Sequence, residues 1–247
     1  MSNAVTATLC AHAGATKISR GELLHIPTPP RTRTFMPVPH ADLINNIETR
    51  LAEHGITIAA DQYAVQNSKE LVGSKLFAAF TLKYQTHDDY AFALALRTSN
   101  DKSMAIEIVA GFRVFVCDNM ALSGESTLLC RKHTSLLNPR VATYSAIDKA
   151  ISRFTMIDQR VAALKETTVS DDRAQAVILQ AYLKGVMPNS LIKAVNDEYF
   201  TPTYEDFAPG TAWSLHNAFT TVFGRERQDK PHLLLDSTQA LGTLFQI

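Results

Sequence analysis

The feature that most constrains this chain is a series of four short apolar runs in its first half, each followed by turn-forming residues. The runs are rich in aromatic and β-branched residues, which favour strands over helices at this length. Short strands joined by polar turns form sequential hairpins. Gly111, between the last two runs, indicates a β-bulge or a very tight connection. The sequence therefore predicts an antiparallel β-meander at about 76–117, from runs at 76–84, 90–96, 104–109 and 112–117.

Outside the meander, the apolar residues repeat at helical spacing. One stripe, at 40–54, precedes the meander and ends at Gly55, and short strand candidates follow it at 56–59 and 63–65. The order of a helix, then the meander, then further helices predicts an α+β fold. In this fold the antiparallel meander packs with helices, and the C-terminal half, about 140–247, is helical. The later helices are predicted at 146–164, after the capping Ser170, at 188–195, at 212–223 and at 237–245.

The first 39 residues differ from the rest because five of the ten prolines lie between positions 27 and 39. Proline fixes φ and biases the preceding residue toward extended backbone. Residues 1–39 are therefore predicted to form an extended, proline-rich N-terminal arm, and residues 40–247 a single domain. The arm is either a partly ordered tail or a segment that uses Arg31 and Arg33 to grip a neighbouring subunit or a phosphate backbone.

Composition excludes some classes of protein. The chain carries 24 Lys and Arg against 24 Asp and Glu, and a net charge of zero counts against a strongly basic nucleic-acid binder. Its three cysteines are odd in number and have no metal-site spacing, a pattern typical of a reducing compartment such as the cytoplasm. Neither a membrane-spanning run nor a signal peptide is visible, so no membrane association is predicted.

Standard catalytic motifs are also missing from the sequence. Gly124-Glu125-Ser126 lacks the second glycine of a nucleophile elbow, and no phosphate-binding glycine loop or helical histidine pair occurs. The best metal candidate, His87-Asp88-Asp89, also has the composition of an ordinary surface turn. Cys117 could act as a nucleophile with His133 as its base, but a buried structural thiol is the favoured interpretation. No catalytic residue, metal or cofactor is predicted.

Basic residues near the meander are the better candidates for a binding site. Arg97 and Arg113 can fall on the same sheet, where a guanidinium could bind phosphate, pair with Asp101 or Glu107, or face water. A further basic run follows the meander. The predicted nucleic-acid contacts are Arg97, Asn100, Lys102, Arg113, Asn119, Arg131 and Lys132.

Three blocks of sequence resemble a known family. They are Arg97-x-Ser99-Asn100-Asp101-Lys102-Ser103, then Gly111-Phe112-Arg113-Val114 with Cys117-Asp118-Asn119, and finally Trp213-x-x-x-Asn217-x-x-Thr220. Over about 35–225 the chain resembles the phage/plasmid-like proteins of domain-of-unknown-function family 932, which usually carry glycine where Lys102 stands. The resemblance implies a mobile element in a bacterial host cell, with DNA replication, recombination or evasion of host defence as its setting. It implies no established activity.

The leading hypothesis is a phage- or plasmid-borne, non-enzymatic protein that binds nucleic acid, specifically single-stranded DNA, as a homo-oligomer. A β-meander followed by a long helix is also similar, in element order alone, to single-strand annealing proteins. One alternative is a protein-interaction module that inhibits a host defence protein, which the neutral charge favours. The other is a metal-dependent enzyme that acts on nucleotides or nucleic acid through His87, Asp88, Asp89 and Asp101.

Overall fold

A computed structural model describes residues 15–84, 90–114, 120–226 and 231–245. It confirms the α+β class, with an antiparallel sheet in the first half and a helical C-terminal half. The first half contains β1 (Ala15–Ile18), α1 (Arg20–Leu23), α2 (His40–Glu53), β2 (Thr57–Gln66), β3 (Lys75–Lys83), β4 (Tyr90–Ser99), β5 (Ile106–Val114) and β6 (Met120–Arg131). The second contains α3 (Pro139–Glu166), α4 (Asp171–Leu183), α5 (Ile192–Phe200), α6 (Ala212–Glu226) and α7 (Pro231–Phe245), with 3-10 turns at Asn189–Leu191 and Glu205–Phe207.

The sheet is a meander in which each strand pairs antiparallel with the next along the chain. Gly111 lies inside β5 at a shift of register, so it belongs to a bulge and does not connect two strands. The strand predicted at 112–117 is therefore wrong: residues 112–114 complete β5, and 115–117 lie outside the described residues. The next strand, β6, escaped prediction because its sequence mixes serine, glycine and glutamate with the apolar residues.

One face of the sheet carries the main core, beneath α2, α3 and α6. Alternate residues of a strand point to the same face, so β3, β4 and β5 each contribute every second side chain. Phe92 of β4 stacks on Phe154 of α3 with ring centroids 4.5 Å apart, and Phe112 of β5 lies 5.7 Å from Trp213 of α6. The long helix α3 is thus held against the middle of the sheet by aromatic contacts.

A second core lies among α4, α5, α6 and α7, centred on Tyr199, Phe219 and Phe223. Helix α6 joins the two cores because Trp213 faces the sheet while Phe219 and Phe223 face the other helices. Trp213 is therefore a core anchor. The buried side chain of Asn217 donates from Nδ2 to the carbonyl of Trp213 within the same helix at 2.9 Å.

Helix starts follow the capping residues in the sequence. Ser170 caps α4 as predicted, accepting a hydrogen bond from the backbone N–H of Arg173. Helix α3 begins earlier than the apolar stripe suggested, because Asn138 caps it by accepting from the N–H of Val141 at 3.1 Å and Pro139 occupies its first turn. The first turn of α3 therefore reaches the loop that follows β6.

The N-terminal segment is more structured than an extended arm. Residues 15–23 form β1 and the short helix α1, which Ser19 and Glu22 cap reciprocally. The proline-bearing stretch 27–39 forms neither helix nor strand, apart from a single bridge between Phe35 and Thr134. The side chains of Leu23, Phe35 and Val38 are buried, so this segment packs on the sheet and its loops. In the part of the chain that the structure describes, no helix is long and apolar enough to cross a membrane.

Gly73 generates a prediction for stability. It has a φ of +62°, and a Cβ placed there would lie 2.7 Å from Ile26 Cδ1. We expect Gly73→Ala to lower the free energy of unfolding by about 2–3 kcal/mol, through left-handed strain and displacement of Ile26. Urea unfolding measures it. Gly21→Ala is the control, since its Cβ would meet only Ser19 Oγ at 3.9 Å. Equal stability of the two variants would contradict the prediction.

Candidate nucleic-acid interface

The turn after β4 fastens the N-terminal segment to the sheet through Asn100. The Oδ1 of Asn100 accepts from the N–H of Val38 at 3.0 Å, and its Nδ2 donates to the carbonyl of Val38 at 2.9 Å. The side chain is buried, and its own backbone N–H donates to the carbonyl of Ser74 at 2.7 Å. Both ends of the amide are occupied, so the prediction that Asn100 contacts nucleic acid is wrong.

The neighbouring residues of the turn also bond to one another. Asp101 Oδ2 accepts from Ser74 Oγ at 3.0 Å, and Oδ1 accepts from the N–H of Ser103 at 2.9 Å. Burial by itself would raise the pKa of Asp101, but the hydrogen bonds from Ser103, Ser74 and other serines outweigh it and lower the pKa. The turn holds this carboxylate ionised as an acceptor, which makes it a structural group.

Two buried histidines complete the polar contacts at this end of the sheet. His133 Nδ1 lies 3.1 Å from the carbonyl of Met36, and Nε2 lies 2.9 Å from Thr98 Oγ1. His40 Nε2 lies 2.9 Å from the carbonyl of Gly73. Burial lowers the pKa of both rings, that of His40 to about 4. Both rings are therefore neutral near pH 7 and act as connectors, and His133 is already occupied at both nitrogens.

Arg97 is also committed to structure. Its Nε lies 2.5 Å from Glu107 Oε2, the residue directly opposite it on β5, and its Nη1 lies 3.9 Å from Asp236 of α7. Of the alternatives considered for Arg97, the ion pair with Glu107 is therefore the one observed. A phosphate would have to compete with two carboxylates for this guanidinium. The prediction of Arg97 as a free phosphate contact is not supported.

Arg113 lies far from Arg97 along the same pair of strands. Arg97 is paired with Glu107 at one end of the β4–β5 ladder, and Arg113 is paired with Ala91 at the other. Six positions separate the two pairs, which corresponds to about 20 Å. The two arginines therefore do not converge on one site. The side chain of Arg113, Asn119 and the candidate residues Cys117, His87, Asp88 and Asp89 lie outside the described residues.

Lys102 is placed by the backbone of the turn. It has a φ of +69°, in the left-handed region that glycine adopts without steric strain. Its Nζ lies 5.3 Å from the ring centroid of Phe35, and that ring in turn packs on His133 at 5.4 Å. The tight turn expected with glycine is thus made by a lysine, which adds a cation beside the loop 132–138.

A groove of about 660 Å³ is lined by two exposed cations, Arg131 at the end of β6 and Lys132 directly after it. The groove lies between the end of β6, the loop 132–138 and the first turns of α3, which contributes a third cation, Lys149. None of its described lining residues is acidic. We call it the basic groove; its lining is Leu128, Leu129, Cys130, Arg131, Lys132, Thr134, Leu136, Leu137, Asn138, Val141, Ala142, Ser145 and Lys149.

The sequence predicted two of the three cations of the basic groove but missed Lys149. A signal for it existed, because Lys149 lies on the side of α3 opposite the apolar stripe, one turn after Ser145. Arg31 of the N-terminal segment reaches the same loop, donating from Nη2 to the carbonyl of Ser135 at 3.3 Å. Arg31 and Lys102 therefore both place a cation near the loop 132–138, although neither lines the groove.

Among the described residues, no group of three or more histidine, cysteine, aspartate or glutamate side chains could hold a metal ion. Asp101, the described member of the proposed metal set, bonds to serines instead.

A family model described as "Domain of unknown function (DUF932)" matches residues 30–242, most of the chain. That range takes in the basic groove, the turn after β4 and α6. No curated protein and no solved structure matches the chain.

The clamp between Asn100 and Val38 predicts a stability effect. Asn100→Ala leaves the N–H and the carbonyl of Val38 without their partners in a buried place. We expect the free energy of unfolding to fall by about 2–4 kcal/mol, measured by urea unfolding. Asn189→Ala, at an exposed asparagine, is the matched control and should change stability by less than about 0.5 kcal/mol. A loss of similar size in both variants would contradict the structural role of Asn100.

The depressed pKa of His40 predicts a loss of stability in acid. Since the ring has an ordinary pKa of 6.5 when unfolded and about 4 when folded, the unfolded state binds the additional proton between those values. The stabilisation is complete above pH 6.5 and is lost as the pH falls toward 4, by about 1.4 kcal/mol per pH unit. We expect His40→Gln to flatten the pH dependence of unfolding over this range. An unchanged slope in the variant would contradict the assignment.

Proposed function

This chain belongs to the DUF932 family, and we propose that it binds single-stranded nucleic acid through the basic groove, without catalysing a reaction. The observation that carries the proposal is the composition of the groove, in which Arg131, Lys132 and Lys149 meet with no carboxylate among the described lining residues. Three cations without a counter-charge attract a polyanion, and phosphates that bind there release condensed counterions. The zero net charge of the whole chain is compatible with this, because the positive charge is local.

The groove fits a single strand better than a duplex. Its lining includes aliphatic side chains, and two of them, Leu136 and Val141, are 94% and 63% exposed. An unpaired base presents an apolar face that can pack on such side chains or on the plane of a guanidinium such as that of Arg131. A duplex keeps its bases stacked inside and offers mainly phosphates to a groove of this kind. The cations and the exposed aliphatic side chains of the lining thus match phosphates and unpaired bases respectively.

The remaining parts of the proposal concern biological setting. We place the protein on a phage or plasmid in a bacterial cell, where single-stranded DNA arises in replication and recombination. Several copies side by side would extend a short groove along a strand, so the proposal includes a homo-oligomer on DNA. The resemblance of the sequence blocks to phage/plasmid-like proteins supports this setting.

A protein partner is the second candidate, and the exposure of Leu136 favours it. A leucine at 94% exposure beside three cations also suits an acidic segment of a host protein that carries apolar residues. Such a partner would use the same groove. Direct binding of a purified oligonucleotide separates the two candidates. A nucleic-acid groove binds the oligonucleotide in the absence of any other protein.

The basic groove yields a direct prediction. We expect the variant Arg131→Ala/Lys132→Ala/Lys149→Ala to bind a labelled single-stranded oligonucleotide at least about tenfold more weakly at low salt. The slope of log K against log salt should become shallower by about 2, since each phosphate contact on a single strand contributes about 0.7. Fluorescence anisotropy over a series of salt concentrations measures both quantities.

A matched variant controls for the loss of three positive charges. Arg173, Lys184 and Lys193 are exposed cations of α4, its C-terminal cap and α5, and none of them lines the groove. Their triple alanine variant should keep the affinity and the salt slope of the unmodified protein. Equal losses in the two variants would mean that binding follows total charge, and no binding by the unmodified protein at low salt would reject the proposal.

A further inference from the structure

We infer that a second cavity, next to the basic groove, receives a base of the bound strand and favours bases that carry an amino group. This inference rests on the proposed function and deepens it. The cavity, of about 480 Å³, lies between the start of α2, the segment 36–39 and the start of α3. We call it the amide cavity. Its polar residues are Asp42, Asn45, Asn46, Asn138 and Arg140, and the rest of its lining is apolar and consists of Met36, Val38 and prolines.

The amide cavity adjoins the basic groove through Asn138, which lines both. Asn138 caps α3 with its Oδ1, so its Nδ2 is the part of the side chain left to donate. A strand whose phosphates lie at Arg131, Lys132 and Lys149 therefore passes within reach of the cavity. Its size falls within the range of about 300–1,000 Å³ that is usual for small-molecule sites.

The charge of the cavity favours a base over a phosphate. Asp42 is exposed and makes no ion pair within the described part of the chain, and its charge offsets that of Arg140, so the cavity has no net positive charge to attract a phosphate. Asn45, Asn46 and Asn138 bring amide groups, which both donate and accept. Prolines and Met36 supply an apolar surface for a flat ring. A neutral, flat, polar-edged group such as a nucleobase fits this combination.

The polar groups are partly fixed before a ligand arrives. Asn45 Oδ1 accepts from Arg20 Nη2, which leaves its Nδ2 to donate. The guanidinium of Arg140 lies 5.1 Å from the ring centroid of Tyr144 and is held at the edge of the cavity by that contact. Donors that are fixed in this way lose little side-chain entropy on binding, which favours discrimination between similar ligands.

The carboxylate sets the preference among bases. Asp42 can only accept hydrogen bonds, so it favours a base edge that donates. Cytosine has an amino donor at the position where uracil and thymine have a carbonyl acceptor. In the cavity a cytosine amino group would meet the carboxylate of Asp42, whereas a uracil carbonyl would be set against it. The preference is therefore for cytosine over uracil and thymine.

The experiment compares labelled homopolymers of deoxycytidine and deoxyuridine of equal length, bound to the full chain at one salt concentration. The two bases differ at position 4, which carries an amino donor or a carbonyl acceptor, and at the adjoining N3, which accepts in cytosine and donates in uracil, so their affinity ratio reports on that base edge. We expect the deoxycytidine strand to bind about threefold to tenfold more tightly, as one hydrogen bond gained and one repulsion avoided would produce. In Asp42→Ala/Asn46→Ala the ratio should approach one while the salt slope stays unchanged.

Two further variants make the result specific. Asp172→Ala removes an acid from the first turn of α4 and should keep the ratio, which controls for loss of an acid at a helix start. The groove variant at Arg131, Lys132 and Lys149 should weaken both strands equally and keep the ratio. Equal affinity of the unmodified protein for the two strands, or a ratio that survives in Asp42→Ala/Asn46→Ala, would overturn the inference alone. Failure to bind either strand would overturn the proposed function with it.

Discussion

The burial of one face of the sheet beneath α2, α3 and α6 is the constraint on which the rest of the structure depends. An antiparallel meander cannot stay folded with a wide apolar face in water, and the stacked rings of Phe92 and Phe154 hold α3 across it. Once α3 lies there, its first turn must meet the end of β6. The basic groove forms at that junction, so the candidate site results from the way in which the helices cover the core.

Polar residues that look like a binding motif in the sequence serve to close one end of this sheet. Asn100 and Asp101 bond to backbone and serine groups, and His133 joins Met36 to Thr98. Such satisfied networks are what buried polar groups require, because an unpaired one is costly in a low dielectric. These bonds fix the N-terminal segment and the loop 132–138 in place, and Arg31 and Lys102 contact Ser135 and Phe35 of those two segments.

Local patterns predicted the elements well, because hydrophobic period and capping residues act within a few positions of one another. The helices after Ser170 and at 40–54 were recoverable in that way, as were the hairpins β3–β4 and β4–β5, and Arg131 and Lys132 stood out as a basic run. What the sequence could not supply was pairing across the chain. The commitment of Arg97 to Glu107, the distance from Arg97 to Arg113, and the arrival of Lys149 at the groove depend on register and helix docking, which no short window encodes.

The position of Asn138 at the start of α3 has a consequence for the electric field in the groove. The peptide dipoles of this 28-residue helix add to about half a positive charge at its first turn, where Asn138, Val141 and Ala142 line the groove, and that turn of the helix itself carries no acidic residue. Unlike a lysine, this charge belongs to the backbone, so it neither titrates nor can be removed by replacing one side chain. A permanent positive potential is thereby built into the point where the two cavities meet.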